Sequence, residues 1–353
     1  MHVTATGAGK SPSPGGTVGG RDVEVAGRLE RFIRSRVPGI VDLHLDGLAR
    51  TSGGLSRENW VFRASWRDDD GEHDLPLIMR RDPAGSLLDT ERRDEFAVLR
   101  ALESTAVAAP AVLWIDEDGS ELGSPSLVMQ RVTGVCDWQA LNSDRPERER
   151  LALARGFLDL LVEIQAVDWR GLGLDAVLKD PGPDAAQAEL GRWESELRRV
   201  ALEPVPELQI VLRWLRERAR PSRRTVLVHG DYKPGNALFD GERINAMLDW
   251  ETAHLGDPLE DLGWITNPVR VREHQIPGVW ERGQIVAAYA AATGHPVDDE
   301  DLTWWNVFSC WKLAVIVLTG MHEFVAGRFD RVHHSPTWLV RAMLRLTGMA
   351  AGR

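Results

Sequence analysis

Three oxygen-bearing side chains near the middle of the chain have the types and the spacing that phosphoryl transfer requires. Asp231 and Asn236 lie in a Gly- and Pro-containing loop that follows the apolar stretch 226–228. Asp249 follows a second strand-like stretch, residues 244–248. Because short apolar stretches bounded by turn residues predict buried strands, the ends of two strands would bring the three side chains together.

Phosphoryl transfer depends on positioning and charge neutralisation more than on covalent chemistry by the protein. One carboxylate must orient the acceptor hydroxyl or take its proton, and we assign that role to Asp231. A carboxylate and an amide oxygen are hard ligands that suit Mg²⁺ beside nucleotide phosphates, and we assign those roles to Asp249 and Asn236. The sequence therefore predicts ATP and Mg²⁺ as cofactors and a small-molecule hydroxyl as the acceptor.

The spacing of this loop matches a known catalytic pattern. His229, Asp231 and Asn236 form His-x-Asp-x-x-x-x-Asn, the spacing of the protein-kinase catalytic loop, with Gly230 where those enzymes carry Arg. A turn that merely caps helices is the plain alternative, and the full spacing disfavours it. A protein kinase is also disfavoured, because the chain lacks the Asp-Phe-Gly and Ala-Pro-Glu pair around an activation segment.

Together with two later segments, the loop resembles the aminoglycoside phosphotransferase-like kinases, a group that includes choline and homoserine kinases. The segments are residues 248–251 (Leu-Asp-Trp-Glu) and 253–263 (Ala-His-Leu-Gly-Asp-Pro-Leu-Glu-Asp-Leu-Gly). Residues 77–83 and 128–132 also resemble the kinase-like domains fused to, or found beside, acyl-CoA dehydrogenases. The resemblance covers most of residues 40–330. It implies an α+β, two-lobed protein-kinase-like fold, with a small N-terminal β-sheet lobe carrying one main helix and a larger, mostly helical C-terminal lobe.

The resemblance also implies two segments that bind the nucleotide. Small residues between the first two predicted strands would let backbone amides approach the phosphates, and they are Ser52, Gly53, Gly54 and Ser56. The end of a later strand would form a hinge between the lobes, where the backbone around Gln130 and Val132 would contact adenine.

The third predicted strand ends in two arginines. Alternation puts Ile78 and Arg80 on one face, so Ile78 would contact adenine while Arg80 reaches the phosphates in place of the usual Lys. Arg keeps the charge and offers a bidentate fork, although the sequence leaves open whether Arg80 or Arg81 takes the role. Glu95 on the following helix is the expected ion-pair partner, with Glu91 one turn earlier as its rival.

Three residues around the loop are expected to support it rather than to react. His229 would be a satisfied buried histidine that hydrogen-bonds the loop backbone. The resemblance implies that Asp261, on a helix after the Gly-Asp-Pro turn, binds amides of the catalytic loop. Asp257 would cap that helix ahead of Pro258.

The acceptor site would be formed by the helical lobe beside Asp231. Lys233 could contact the transferred phosphate or the acceptor, and solvent exposure is an equal alternative. Further lining candidates are Glu251, His254, Trp264, Trp305 and Trp311. For the tryptophans, ordinary core packing is the preferred interpretation. From Met321 onward the chain has five Arg but only two acidic residues, Glu323 and Asp330. This basic tail favours an anionic acceptor, such as a hydroxy acid or a hydroxyacyl-CoA, over an aminoglycoside-like sugar.

The length predicts two lobes. The chain has 353 residues, and a single core stops growing near about 250–300 residues. Strand patterns with one main helix occupy residues 21–132, the expected nucleotide-binding lobe, and long helical patterns dominate residues 133–353. Residues 1–20 are rich in Gly, Ser and Pro and are interpreted as a disordered tail. Their Gly9-Lys10-Ser11 lacks the spacing and context of a Walker phosphate loop.

Composition excludes several classes of function. The net charge of −11 argues against nucleic acid as a partner, and two cysteines, Cys136 and Cys310, form neither a disulfide framework nor a zinc cluster. The apolar run 307–321 carries Lys312 and is shorter than the ~20 residues of a membrane span, so we interpret it as a buried helix. The N-terminus lacks the order of a secretory signal, and a cytoplasmic location without a membrane partner is expected.

Two questions stay open at this stage. A non-catalytic nucleotide-binding scaffold is the alternative to an enzyme, and the intact set of Asp231, Asn236 and Asp249 argues against it. The sequence does not decide between ATP and GTP, or between a monomer and a homodimer.

Overall fold

The structure is a computed structural model, and it describes residues 20–51, 58–82, 92–328 and 335–349. For residues 20–22 it describes the backbone alone. Several sequence predictions lie outside the described residues, namely the tail over residues 1–19, the rival Glu91, and the small residues expected at the phosphates, Ser52, Gly53, Gly54 and Ser56.

An antiparallel sheet of five strands forms the first part of the described chain. In chain order its elements are α1 (Gly20–Arg36), β1 (Val41–Arg50), β2 (Glu58–Asp68), β3 (Gly71–Arg81), α2 (Arg92–Leu102), β4 (Val112–Asp116) and β5 (Ser126–Gln130). The strands are ordered β1-β2-β3-β5-β4, so β3 lies at the centre of the sheet. The predicted strands and the single main helix are confirmed, and α1 is an additional helix that precedes the sheet.

Alternation along β3 decides what each face of the sheet does. Leu77 and Met79 are buried on the face that α1 covers. Ile78 and Arg80 lie on the other face, where Ile78 packs against the core that α2 joins. Each large apolar side chain stabilises the fold by about 1.5–3 kcal/mol when buried. In the observed register Ile78 pairs with Met129. Because successive side chains of a strand point to opposite faces, a shift of one residue would move Arg80 into the apolar face.

The rest of the described chain is mostly helical. Its elements are α3 (Glu147–Gln165), α4 (Ala185–Val200), α5 (Pro206–Arg218), β6 (Val226–Val228), β7 (Ala237–Asp240), β8 (Arg243–Met247), β9 (His254–Gly256), α6 (Leu259–Ile265), α7 (Val271–His274), α8 (Arg282–Thr293), α9 (Asp299–Val325) and α10 (Thr337–Leu346). β7 and β8 form one two-stranded sheet, and β6 pairs with β9 in another. The sequence predicts the long helices and the region of β6 to β8, but not β9 or α7, which are too short to show a period.

The helix α9 forms the centre of the helical part. By length and composition it could cross a membrane, and it is the one such helix among the described residues. Most of its apolar stretch is buried, and α4, α5, α6 and α10 pack around it. This packing is typical of the core helix of a globular protein, which is the interpretation that the sequence favours.

Two tryptophans of α9 that the sequence offers as acceptor contacts lie in the core. Trp311 is fully buried, and its Nε1 donates to the carbonyl oxygen of Leu208 at 3.0 Å. Trp305 packs on Phe308 in the same core. The prediction that Trp311 lines the acceptor site is therefore wrong, because tryptophans at helical spacing here fill the interior.

Candidate functional site

The hairpin of β7 and β8 brings the three predicted oxygen-bearing side chains together. Asn236 donates from Nδ2 to the main-chain oxygen and to Oδ2 of Asp231, both at 3.0 Å. The carbonyl oxygen of Asn236 accepts the N–H of Leu248 at 2.7 Å, and Asp249 is the next residue. Because the amide nitrogen of Asn236 faces Asp231, its Oδ1 is the atom left to coordinate a cation. Asp249 and Asn236 thus offer the hard oxygen donors that Mg²⁺ prefers.

The backbone of Asp249 has an unusual conformation. Its φ of 68° and ψ of 52° lie in the left-handed region, which non-glycine residues enter at a cost of about 1–3 kcal/mol. Asp249 and Asp42 are the two non-glycine residues with positive φ in the described part of the chain. Such conformations concentrate at functional sites, and here the turn orients the carboxylate towards β3.

Arg80 connects the sheet to this carboxylate. Its Nη2 lies 2.6 Å from Oδ1 of Asp249, and its Nη1 lies 2.8 Å from Oε1 of Glu95 in α2. Burial would lower the pKa of Arg80, but Glu95, Asp249 and Glu251 outweigh it and hold the pKa above its usual value. The predicted ion pair of Arg80 with Glu95 is confirmed. Arg92 also contacts Glu95, which anchors the glutamate from within its own helix.

The residues predicted to contact adenine lie on β3 and at the end of β5, where Gln130 pairs with Leu77. Ile78 is partly buried beside the core of α2. Gln130 ends β5, and its N–H donates to the carbonyl oxygen of Ala111 at 2.8 Å. Val132 follows outside regular structure and is half-buried. Contacts of these residues with adenine stay predictions.

The catalytic loop is fixed by hydrogen bonds to its backbone. Asp261 in α6 is fully buried and accepts the N–H groups of His229 and Gly230 at 2.8 and 2.9 Å. Burial raises the pKa of Asp261. Asp257 accepts the N–H of Leu259 at 2.7 Å at the start of α6. The supporting contacts predicted for Asp261 and Asp257 are both confirmed.

His229 joins the loop to the segment before Asp249. Its Nδ1 accepts the N–H of Asp231 at 3.2 Å, so its Nε2 carries the proton and donates to the carbonyl oxygen of Leu248 at 2.9 Å. Burial lowers the pKa of His229, which favours this neutral form. The prediction of a satisfied buried histidine is confirmed.

Gly230 meets a steric requirement that Arg could not. Its φ is +82°, and a Cβ at this position would lie 2.8 Å from the carbonyl oxygen and 2.9 Å from Oγ1 of Thr252. Left-handed backbone favours glycine, and Thr252 removes the space for any side chain. This explains the glycine at a place where protein kinases carry Arg.

Four charged side chains form a buried network behind the loop. Lys312 of α9 donates to the carbonyl oxygen of Gly230 at 2.8 Å and lies 3.1 Å from Oε1 of Glu260. His254 Nε2 lies 3.1 Å from Glu260 and 3.7 Å from Glu189. Burial lowers the pKa of His254, but the two carboxylates outweigh it and raise the pKa to about 9. His254, predicted as an acceptor contact, therefore favours the imidazolium form between Glu189 and Glu260, and these carboxylates also face Lys312 and Arg192, which lies 3.5 Å from Glu189.

The remaining acceptor candidates lie in different surroundings. Lys233 contacts the carboxylate of Asp231, and its side chain is 29 % exposed. Burial would lower the pKa of Lys233, whereas Asp231 raises it above its usual value. Glu251 borders a pocket with His254 and adds negative charge near Arg80. Trp264 is buried, with the Arg270 guanidinium over its ring.

Sequence reasoning missed two contributors to the site. Lys312 gave a signal, since a charge inside an apolar run needs a buried partner, but the sequence does not show that the partner is the oxygen of Gly230. Arg270 lies on a short 3-10 turn, residues 268–270, and no local pattern there indicates proximity to Lys233.

Comparisons with known proteins give one matching family model and several curated relatives. The family model described as "Phosphotransferase enzyme family" matches residues 53–299. The mouse acyl-CoA dehydrogenase family member 10 is 28 % identical over 244 residues, which cover 67 % of this chain and 21 % of the relative. The rat acyl-CoA dehydrogenase family member 11 is 26 % identical over 317 residues, which cover 85 % of this chain and 39 % of the relative. The chain thus spans well under half of these curated relatives.

Solved structures show the same fold. A Ralstonia eutropha protein described as a candidate aminoglycoside phosphotransferase superposes with a TM-score of 0.69 at 22 % identity, covering 92 % of this chain and 96 % of its own. A thermostable mutant of aminoglycoside phosphotransferase APH(4)-Ia, in a ternary complex with AMP-PNP and hygromycin B, superposes with a TM-score of 0.56 at 19 % identity. The match covers 92 % of this chain and 99 % of that structure. The predicted α+β kinase-like fold is confirmed.

Replacing Gly230 by Ala should distort the catalytic loop. We expect Gly230→Ala to lower the free energy of unfolding by about 1–3 kcal/mol, because the new methyl group clashes with Thr252 and φ is positive. Urea denaturation measures the loss. Gly241→Ala is the matched control, since its φ is +61° and nothing lies within 4 Å of its Cβ position. Equal losses in the two variants would show that the contact with Thr252 contributes nothing.

The network around His254 should make stability depend on pH. The pKa of about 9 in the folded state exceeds the ~6.5 of an unfolded histidine. The stabilisation is therefore complete below about pH 6.5 and is lost as the pH rises to about 9, a difference of about 3 kcal/mol. We expect His254→Gln to remove this dependence in urea denaturation at pH 6.5 and 9, and the exposed His295→Gln to keep it. A wild-type stability that does not fall over this range would contradict the charge assignment.

Proposed function

Because the chain belongs to the phosphotransferase enzyme family, we propose that it transfers the γ-phosphate of ATP to a hydroxyl group of a small molecule with the help of Mg²⁺. The observation that carries the proposal is the convergence of Asp231, Asn236 and Asp249 at the end of one hairpin. Arg80, held by Glu95, brings positive charge to the same place. A non-catalytic scaffold has no need of all these groups.

Asp231 is the proposed base. Its carboxylate would orient the acceptor hydroxyl and take its proton as the oxygen attacks phosphorus. Asn236 holds Oδ2 of Asp231 from one side, and Lys233 contacts the same oxygen. The side chain of Lys233 is partly exposed, so its ammonium could also compensate negative charge on the group in transfer.

Asp249 and Asn236 would hold the cation. When bound, Mg²⁺ neutralises charge on the nucleotide phosphates. Arg80 would turn one arm of its guanidinium from Asp249 to the phosphates while Glu95 keeps the other arm. The structural relative APH(4)-Ia was solved with AMP-PNP, which supports ATP as the donor.

We infer an anionic acceptor, such as a hydroxy acid or a hydroxyacyl-CoA. Arg exceeds the acidic residues from Met321 onward. In the structure Arg328 pairs with Glu323, whereas Arg341 and Arg345 are exposed on α10. An aminoglycoside or macrolide is the second candidate, because fold relatives include a macrolide 2′-phosphotransferase from Brachybacterium faecium, at a TM-score of 0.54.

Removing the proposed base should abolish turnover but not folding. We expect Asp231→Asn to lower acceptor-dependent ADP release by about 10²–10⁴-fold, the usual contribution of a positioned base. Asp240→Asn, an exposed carboxylate at the end of β7, is the control and should keep full activity. Unchanged turnover in Asp231→Asn would refute the assignment, and a wild-type protein that binds ATP without turning over any acceptor would favour the scaffold.

The acceptor class can be decided by offering candidates separately. With ATP and Mg²⁺ present, we expect ADP release with a hydroxy acid or a hydroxyacyl-CoA, because of the positive charge near Lys233 and on α10. A coupled assay of ADP measures this directly. Activity confined to aminoglycosides would contradict the anionic acceptor and leave the kinase assignment intact.

A further inference from the structure

Four buried side chains beside the catalytic loop keep polar atoms that make no hydrogen bond within the described parts of the chain. They are Trp264, Asn267, Arg270 and His274, and we call them the donor cluster. Their exposed fractions are 2 %, 0 %, 9 % and 2 %. The atoms are Trp264 Nε1, Asn267 Nδ2, Arg270 Nε and both ring nitrogens of His274. A buried donor left unpaired costs about 1–3 kcal/mol, so several in one place point to a ligand.

The four side chains lie close together in the chain, on α6 and on the short turn and helix that follow it. The guanidinium carbon of Arg270 lies 4.6 Å from the centre of the Trp264 ring. The backbone N–H of Arg270 donates to the carbonyl oxygen of Asn267 at 3.0 Å. Burial and the positive charges of Arg270 and Lys233 lower the pKa of His274 well below its usual value. His274 is therefore neutral and lies near both cations.

The donor cluster adjoins the proposed base. Lys233, which contacts Asp231, acts electrostatically on both His274 and Arg270. The ring of Phe157 stacks on Tyr232 with centroids 4.3 Å apart and lies 6.3 Å from the ring of His274. The cluster is thus tied to the loop residue that follows Asp231.

The orientation of these groups selects the charge of a ligand. Asn267 accepts through Oδ1 from the N–H of Val269 at 3.0 Å and from Cys310 Sγ at 3.3 Å, so its Nδ2 is the group left to donate. Trp264 Nε1 and Arg270 Nε can only donate. Nη2 of Arg270 donates to Oε2 of Glu273 at 2.5 Å, so Nε is the group of this guanidinium that can donate to a ligand. Hydrogen-bond donors beside a guanidinium suit a carboxylate or a phosphate.

We propose that the donor cluster binds an anionic group, a carboxylate or a phosphate, of the acceptor and so places a hydroxyl of the same molecule at Asp231. This inference rests on the proposed function and gives it a recognition element. Arg270 and Lys233 supply the charge, and Trp264 and Asn267 supply directed hydrogen bonds. No covalent step is involved.

The test uses compounds that share one carbon skeleton and differ in charge. Glycerol, glycerate, glycerol 3-phosphate and 3-amino-1,2-propanediol are added at up to tens of millimolar to the full chain, with saturating AMP-PNP and Mg²⁺ to block the nucleotide site. We expect glycerate or glycerol 3-phosphate to raise the melting temperature, because ligands that bind the native state stabilise it. The two anions distinguish a carboxylate acceptor from a phosphate acceptor. Equal stabilisation by the neutral or cationic compound, or none by either anion, would overturn the proposal.

Two variants assign any stabilisation to the donor cluster. Asn267→Asp keeps the shape and the Oδ1 contacts but replaces the donating amide by a carboxylate, and Arg270→Gln removes the charge. We expect both to weaken binding of the anion at least tenfold while AMP-PNP still stabilises them. Arg272→Gln, exposed on α7, is the matched control and should bind as the wild type does. Anion binding that persists in both variants would overturn the proposal.

The same measurements separate this inference from the proposed function. Failure of AMP-PNP with Mg²⁺ to stabilise the wild type would refute the kinase assignment itself. Stabilisation by AMP-PNP without any response to the anions would refute the donor cluster alone.

Discussion

Two buried charges of opposite sign hold the peptide groups of Gly230, and the rest of the site depends on them. Asp261 accepts the N–H of Gly230 and that of the residue before it, while Lys312 donates to the Gly230 oxygen. A buried charge costs several kcal/mol unless it is paired, so the loop completes the coordination of both side chains. Asp231 follows directly, so these contacts fix the backbone from which its carboxylate projects.

The second half of the site is built across the two parts of the fold. Arg80 comes from the centre of the five-stranded sheet, and Asp249 comes from the hairpin of the helical part. Glu95 fixes the arginine, and the left-handed backbone of Asp249 aims the carboxylate. The alternation of side chains along β3 therefore decides whether the guanidinium of Arg80 reaches Asp249. In this way the register of one strand affects a site in the helical part of the chain.

The sequence predicts those features whose cause is local. The spacing of Asp231, Asn236 and Asp249 is short enough that one hairpin must join them, and the long helices show their period directly. The contact of Lys312 with Gly230 joins residues 82 positions apart, and no local pattern encodes that separation. Trp311 is the clearest error, because a tryptophan that fills a core and one that lines a pocket have the same helical spacing.

The double contact of Arg80 has a consequence for the order of events in a turnover. Without nucleotide, the arginine neutralises the same carboxylate that is proposed to hold the metal. Under the proposed function, loading of the metal–nucleotide complex would therefore break one strong ion pair, and this exchange would lower the apparent affinity for the complex. After product departure the guanidinium would return to the carboxylate, which would favour release and keep the charge of Asp249 compensated between turnovers.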